Sequence, residues 1–132
     1  MKIVCGTLLD SNKFLIGQRL EDNPSYGGFW ELPGGKIDDG ESPDDAIKRE
    51  WKEEIDIEIN PYYLIPERDI NGVMVYPYFI KYKSGKPTLN VHQRVKWITL
   101  KEIGDYNFTP ITKKTLYIIK GSYSLFLNKE AE

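Results

Sequence analysis

The sequence LPGGKIDDGESPDDAIKREWKEEIDIEI, residues Leu32 to Ile59, joins a glycine-rich segment to a run of acidic residues. Ser42 can accept hydrogen bonds from the free N–H groups of a helix start, and Pro43 suits the first helical position. The next two residues are aspartates, whose negative charge is stabilised at a helix N-terminus. We therefore predict a helix from Pro43 to about Ile55.

Like charges crowd one side of this predicted helix. At about 100° per residue, three glutamates fall in one arc, and an apolar arc adjoins it. The acidic arc contains Glu50, Glu53 and Glu54, and the apolar arc contains Ile47, Trp51 and Ile55. Glutamates three or four residues apart repel by roughly a few tenths of a kcal/mol per pair, and more where burial lowers the dielectric. Something must therefore offset this repulsion.

Two kinds of cation can offset it. Arg49 lies four residues before Glu53 and can fix one carboxylate, but one guanidinium cannot neutralise three. Mg²⁺ or Mn²⁺ can, because these hard cations prefer carboxylate, carbonyl and water oxygens. The alternative is a solvated helix in which Lys48 and Lys52 are the partners of the glutamates.

The segment ahead of the helix favours the metal. Residues 33–41 are predicted to form a loop. They contain three glycines, which let the backbone approach a ligand closely, and a fourth carboxylate, Glu41. The order is Gly35, five residues, Glu41, seven residues, Arg49-Glu50, an apolar residue, one residue and Glu53-Glu54. This spacing resembles the Nudix box. Six fixed residues match a given window by chance with a probability on the order of 10⁻⁷.

The resemblance implies a fold and a reaction. Small MutT-like Nudix hydrolases have an α/β/α sandwich with a mixed β-sheet, and the hairpins and two helices of this sequence fit that α+β class. Such proteins hydrolyse a nucleoside diphosphate linked to another group X, with water attacking phosphorus. We predict hydrolysis of a (d)NTP to (d)NMP and pyrophosphate. An ADP-ribose or nucleotide-sugar pyrophosphatase and a catalytically silent nucleotide-binding module are the alternatives.

The resemblance also assigns roles to residues. The implied ligands of Mg²⁺ or Mn²⁺ are Glu50 and Glu54, followed by Glu53, Glu41 and the carbonyl of Gly34. Arg49 would orient the glutamates and belongs with Glu50 and Glu53 to the catalytic set. Arg19 would bind phosphate, with a surface charge as its alternative role. Gly35 and Lys36 would contact the substrate.

Recognition of the nucleobase is expected from the first loop, the strand before the box and the start of the last helix. The candidates are Tyr26, Phe29, Leu32, Phe108 and Thr112, each with a core position as its alternative. Relatives that select 8-oxo-purines carry an asparagine near the position of Thr112. A general (d)NTP substrate is therefore favoured here.

Three positions depart from the family pattern. Asp56 stands where the box has glycine, and Trp51 stands where a small aliphatic residue is usual. Aspartate tolerates a left-handed cap better than most residues, whereas Trp51 needs a larger pocket under the helix. Val91 stands where many relatives carry a glutamate before His-Gln. The activation of water is then left to Glu50, to Glu53 or to the metals alone.

The rest of the chain indicates hairpins and a second helix. The predicted strands are Ile3–Leu9, Lys13–Arg19, about 57–67, 73–83 and 95–98, with a loop over 20–29. Turns at residues 10–12 and at Asn71-Gly72 join neighbouring runs. Pro77 predicts that its strand is an edge strand or is bulged. The second helix is predicted from Pro110 to Gly121.

Composition limits the compartment and the partners. A length of 132 residues predicts one domain over 1–132, and a net charge of −2 argues against long nucleic acids, including an RNA 5′-end substrate. A single cysteine, the lack of a leader pattern and the lack of about 20 consecutive apolar residues predict a cytoplasmic protein without a membrane segment. His92 is expected to be a structural residue at a strand end, with a place near phosphate as its alternative. Monomer and homodimer both stay open, and the apolar residues 125–127 are expected to cover the core or to meet a partner.

Overall fold

The computed structural model describes residues 1–124, which form two compact units. The first unit contains Met1–Leu8 and Pro33–Val91, and the second contains Leu9–Leu32 and the described residues from His92 onward. A mixed β-sheet with helices confirms the predicted α+β class. The single domain over 1–132 stays a prediction, and the apolar residues 125–127 lie outside the described residues.

The strands and helices are numbered in their order along the chain. The strands are β1 (Lys2–Asp10), β2 (Lys13–Arg19), β3 (Trp30–Glu31), β4 (Gly34–Lys36), β5 (Glu58–Leu64), β6 (Arg68–Ile70), β7 (Val73–Ser84) and β8 (His92–Ile98). The helices are α1 (Pro43–Ile55), α2 (Pro110–Ser122) and a 3₁₀ helix over Leu100–Asp105. Within residues 1–124, no helix has the length and apolar character needed to cross a membrane.

The sheet of the first unit is built on β1 and β7, which run parallel to each other. β4 pairs antiparallel with the start of β1, and β5 and β6 pair antiparallel with β7. Val4, Val75 and Phe79 are fully buried, and their sequence neighbours Cys5 and Ile80 are buried too, as is typical of parallel strands covered on both faces. The pairing with β1 therefore fixes the glycines of β4 in front of α1.

Helix α1 confirms the predicted bounds and caps. The Ser42 hydroxyl accepts a hydrogen bond from the Asp45 N–H at 3.1 Å, and Pro43 is the first residue. The buried side chains of α1 are Ala46, Ile47, Trp51, Glu54 and Ile55. At the other end, Asp56 adopts the left-handed conformation with φ of 62°, and its N–H bonds to the Lys52 carbonyl. The helix packs on β4 and β5, so the apolar arc is buried with part of the acidic arc beside it.

The second unit is built on β2. The last residues of β1 form an antiparallel hairpin with β2, and β3 and β8 also pair antiparallel with β2. Phe14, Ile16 and Ile98 are fully buried there. Helix α2 begins at Pro110, as predicted, and ends one residue after the predicted end. Trp30 ties β3 to the segment before α2, because its N–H donates to the Asn107 carbonyl at 2.8 Å.

Strand β7 matches one of the two alternatives predicted from Pro77. It pairs with β1 on one side and with β5 and β6 on the other, so the edge-strand alternative is wrong. Its pairing with β5 contains register shifts at Glu58/Ile59 and Pro61/Tyr63, which agrees with the bulged alternative. The Pro77 carbonyl accepts a hydrogen bond from the Ile65 N–H. Because N–H and C=O of one strand residue point to the same side, the missing N–H of Pro77 faces the gap between β5 and β6. The proline therefore interrupts neither ladder.

Other boundaries differ from the predictions by a few residues. The run predicted over 57–67 forms β5, which ends at Leu64, and the short strand β6 lies beyond that run. Strand β8 begins at His92 rather than at residue 95. The glycine segment, predicted as a loop, contains the strand Gly34–Lys36. The turn at Asn71 and Gly72, with φ of 55° and 84°, confirms the predicted hairpin.

Candidate active site

The acidic residues predicted for the metal site lie in the first unit, on α1 and on the segment that leads into it. Glu41 and Glu50 expose 15% and 13% of their side chains, whereas Glu53 exposes 59%. Glu54 is buried. Because like charges at helical spacing repel more strongly when they are partly buried, the fold must supply a positive charge here.

Arg49 supplies that charge. Its Nε and Nη2 donate to the two carboxylate oxygens of Glu41 at 2.7 and 2.9 Å. Its Nη1 donates to Glu50 at 3.0 Å and to Glu53 at 3.1 Å, and its Nη2 also donates to the Lys36 carbonyl at 3.0 Å. The spacing predicted only the pair with Glu53. The structure therefore shows that Arg49 joins three carboxylates and the end of β4.

This pairing changes the pKa of both partners. Hydrogen bonds from Arg49, with a smaller contribution from the Asp38 N–H, lower the pKa of Glu41 to about 2. The hydrogen bonds to Glu41, and then those to Glu50, raise the pKa of Arg49 above its ordinary value. Glu41 is therefore an anion and Arg49 a cation at neutral pH. Besides the three glutamates that accept its hydrogen bonds, the guanidinium lies 3.5 Å from the Asp38 carboxylate, so one positive charge faces four carboxylates.

The two glycines of β4 have different neighbours. A Cβ on Gly34 would lie 2.0 Å from the Val4 carbonyl oxygen, so this glycine permits the close pairing of β4 with β1. A Cβ on Gly35 would lie 2.6 Å from the Glu50 carboxyl carbon. Gly35 therefore leaves the room that the Glu50 carboxylate occupies.

The donor set of this cluster fits Mg²⁺ or Mn²⁺. It offers carboxylate oxygens at helical spacing beside the backbone of a glycine strand, and hard divalent cations prefer oxygen ligands. Arg49 holds three of the carboxylates in place before a cation arrives. Less side-chain freedom is then lost when the cation binds.

Arg19 lies in the second unit, at the end of β2. Its Nε donates to Glu31 at 2.8 Å, and its Nη1 donates to the Ser25 carbonyl at 2.7 Å. The other oxygen of Glu31 lies 2.8 Å from Nε2 of His92, which is buried at the start of β8, as predicted for a structural histidine. Sequence reasoning missed Glu31. Its only signal is a charged residue inside the short apolar run 30–33.

A cavity of about 280 Å³ in the second unit is lined by two of the nucleobase candidates, Phe29 and Phe108. Its lining also includes Tyr106, Asn107 and Lys113, which sequence reasoning missed. Three of these residues form the sequence YNF just before α2, an aromatic pattern that could have indicated them. Aromatic rings beside an amide and an ammonium group suit a flat polar ligand.

The other nucleobase candidates have contacts inside the second unit. The Tyr26 ring lies edge-on to Phe29, with ring centroids 5.4 Å apart. The Thr112 hydroxyl accepts a hydrogen bond from the Leu32 N–H at 3.2 Å, and both residues are buried. The binding roles of Tyr26, Leu32 and Thr112 stay predictions.

Comparison with known proteins places the chain in a family. The family model described as NUDIX domain matches residues 2–118. The chain is 39% identical over 67 residues to the 8-oxo-dGTP diphosphatase of Proteus vulgaris, covering 49% of this chain and 58% of that protein. It is 26% identical over 114 residues to the CTP pyrophosphohydrolase of Escherichia coli, covering 83% and 84%. The crystal structure of the MutT protein from Methanosarcina mazei has a similar fold, with a TM-score of 0.71 and 21% identity, covering 100% and 95%. The chain therefore belongs to the NUDIX family and is a MutT-like Nudix hydrolase.

Proposed function

We propose that this protein hydrolyses (d)NTPs to (d)NMPs and pyrophosphate with the help of Mg²⁺ or Mn²⁺. The acidic cluster ordered by Arg49 carries the proposal. Such a cluster repels a phosphate chain unless a divalent cation bridges carboxylate and phosphate oxygens. A metal site for a phosphate-bearing substrate therefore accounts for both the crowded carboxylates and their ordering.

The exposure and contacts of the carboxylates indicate which of them bind the metal and which hold Arg49. The proposed metal ligands are Glu50 and Glu54, followed by Glu53, Glu41 and the Gly34 carbonyl. When bound, the metal neutralises phosphate charge and lowers the pKa of the attacking water. Glu41 accepts two hydrogen bonds from Arg49, so its first task is to hold that guanidinium. Arg49 in turn orients Glu50 and Glu53.

Glu50 and Glu53 are the two side-chain candidates for the general base. Val91 supplies no carboxylate at the position where relatives carry one. Glu53 exposes 59% of its side chain and accepts its bond from a single nitrogen of Arg49, so oxygen lone pairs stay available for a proton from water. Glu50 is less exposed and accepts from the same nitrogen. Activation by the metal alone is the third route.

Nucleotide recognition is proposed for the second unit. The aromatic cavity with Phe29, Phe108 and Lys113 suits a nucleobase, and the named relatives act on 8-oxo-dGTP and CTP. Arg19 is proposed to bind phosphate. Gly35 and Lys36 are proposed, separately, to contact the substrate. A threonine hydroxyl lacks the paired donor and acceptor of an asparagine amide, so Thr112 favours a general (d)NTP over an 8-oxo-purine.

We further propose that residues 1–132 act as one domain in the cytoplasm, as a monomer or a homodimer. The net charge of −2 favours small nucleotides over long nucleic acids, because the latter need a basic surface. Light scattering on the purified protein distinguishes the two oligomeric states.

A substrate panel tests the proposal. The protein is incubated with Mg²⁺ or Mn²⁺ and with dNTPs, NTPs, ADP-ribose and dinucleotides, and the products are separated by chromatography. We expect (d)NMP and pyrophosphate, with activity about 100-fold lower in Glu50→Gln and in Glu54→Gln. Lys48→Gln, on an exposed position of α1, is the matched control. No product on any substrate, or full activity in both glutamine variants, refutes the proposal, and H₂¹⁸O identifies the attacked phosphorus.

A further inference from the structure

Trp51 joins α1 to the backbone just before β4. The indole is fully buried, and its Nε1–H donates to the Pro33 carbonyl oxygen at 3.0 Å. The Gly6 N–H donates to the same oxygen, also at 3.0 Å. Both lone pairs of this carbonyl are therefore engaged, one by strand β1 and one by the helix.

The space for the indole comes from Gly6. A Cβ on Gly6 would lie 2.7 Å from Nε1 of Trp51 and 3.2 Å from Cε2. A small aliphatic residue at position 51, usual in the Nudix pattern, would leave this space empty and has no N–H to donate. Gly6 and Trp51 therefore form a matched pair that adds a hydrogen bond between helix and backbone.

The bonded carbonyl adjoins the proposed metal ligand Gly34. The Pro33 carbonyl and the Gly34 N–H belong to one planar peptide unit, so a bond that fixes the carbonyl fixes that plane. Gly34 and Gly35 carry no Cβ, so their φ and ψ angles are hardly restricted by side-chain contacts. The orientation of the Gly34 carbonyl then depends on hydrogen bonds, namely the pairing with β1 and the bond from Trp51.

We propose that Trp51 is a positioning residue of the metal site, an inference that rests on the proposed function. Trp51 directly follows Glu50, about 100° further around the helix. Glu50 supplies its carboxylate to the proposed metal site. The neighbouring Trp51 side chain holds β4, the strand that contains the Gly34 carbonyl. The distance between the Glu50 carboxylate and the Gly34 carbonyl is held because one turn of α1 carries Glu50 and also, through Trp51, binds the backbone next to Gly34.

Trp51→Phe tests this role, because it keeps a buried ring and removes only the N–H and part of the indole. We expect Mn²⁺ binding without nucleotide, measured by calorimetry, to be about tenfold weaker than in the wild type. The metal concentration for half-maximal activity rises by a similar factor, while kcat at saturating metal changes less than about twofold. Trp97→Phe makes the same change at an exposed position of β8 and should bind Mn²⁺ as the wild type does.

A second variant keeps the test decisive if Trp51→Phe folds poorly. Gly6→Ala retains the indole but places a methyl group 2.7 Å from its Nε1 and 2.8 Å from Cδ1 of Ile80. Because the methyl group crowds the indole N–H, this variant should also weaken Mn²⁺ binding. Wild-type Mn²⁺ affinity in either folded variant overturns the positioning role. Glu50→Gln is measured alongside to separate the two proposals. If it loses Mn²⁺ while Trp51→Phe does not, the metal site stands and the positioning role fails; if the wild type binds no Mn²⁺, the proposed function itself fails.

Discussion

Gly35→Ala is expected to separate folding from function in this protein. The added Cβ would lie 2.6 Å from the Glu50 carboxyl carbon and 2.6 and 2.7 Å from its two oxygens. Carbon atoms pack at roughly 3.5 to 4.0 Å, so the Glu50 carboxylate must move by about 1 Å. The movement also strains its 3.0 Å hydrogen bond from Arg49.

The two consequences of this shift differ in size. Stability should change by less than about 1 kcal/mol, because the lost hydrogen bond is offset by the smaller conformational freedom of alanine in the unfolded chain. Metal binding should suffer far more, since metal–ligand distances tolerate only about 0.2 Å. A misplacement of about 1 Å at a reacting centre costs about 100-fold in rate. We therefore expect kcat/KM to fall about 100-fold in a folded protein.

The assay compares three proteins by thermal unfolding, Mn²⁺ calorimetry and (d)NTP turnover. The matched control is Gly121→Ala, the same substitution in α2 at a position where a Cβ meets no atom of residues 1–124 within 4 Å. The control should keep both metal affinity and activity. Mn²⁺ affinity and kcat/KM at the wild-type level in Gly35→Ala would show that the Glu50 carboxylate is not a ligand held in this position.

Three further perturbations test the same network and the second unit. The pKa of Glu41 falls from 4.5 to about 2 on folding, so its stabilising effect is complete above pH 4.5 and disappears as the pH falls towards 2. In urea unfolding series, the stability difference between the wild type and Glu41→Gln should accordingly shrink across that window, and a constant difference would contradict the assignment. Arg49→Lys keeps the charge but loses the planar donor fork, and it should cost about 1 to 3 kcal/mol in thermal unfolding and weaken Mn²⁺ binding in calorimetry. Equal stability and affinity would show that charge alone suffices. Gly17→Ala places a Cβ 2.7 Å from the His92 ring and should destabilise the protein by about 1 to 3 kcal/mol in chemical unfolding, whereas an unchanged midpoint would show that the ring can move freely.

The parts of the fold that local chemistry determines were predictable from the sequence. The bounds of α1 depend on the Ser42 cap, on Pro43 and on the left-handed Asp56, and each of these acts within one helical turn. The burial of the apolar arc follows from helical periodicity in the same way. The turn at Asn71-Gly72 was equally local, since those residue types tolerate positive φ.

Features that depend on distant pairing were not predictable. Whether Pro77 lies on an edge strand depends on which strands flank β7, and nothing near Pro77 in the sequence specifies them. The glycine segment became a strand because β4 meets β1, far away in the chain. The same pairing places Glu41 within reach of Arg49. The i,i+4 spacing along the helix therefore predicted the pair of Arg49 with Glu53 but not its pair with Glu41, which has two hydrogen bonds. The contact of Glu31 with His92 likewise spans 61 positions.

Arg49 explains how the acidic cluster can be both stable and ready for a metal. A cluster that the protein neutralised completely would offer a cation little electrostatic gain, whereas carboxylates without any counter-charge would repel and spread apart. Arg49 engages both oxygens of Glu41, the carboxylate with the lowered pKa, and reaches Glu50 and Glu53 through one shared nitrogen. Its charge is therefore committed mainly to Glu41. Glu50 and Glu53 are held in place but only partly neutralised, and the remaining negative charge is what a divalent cation would balance.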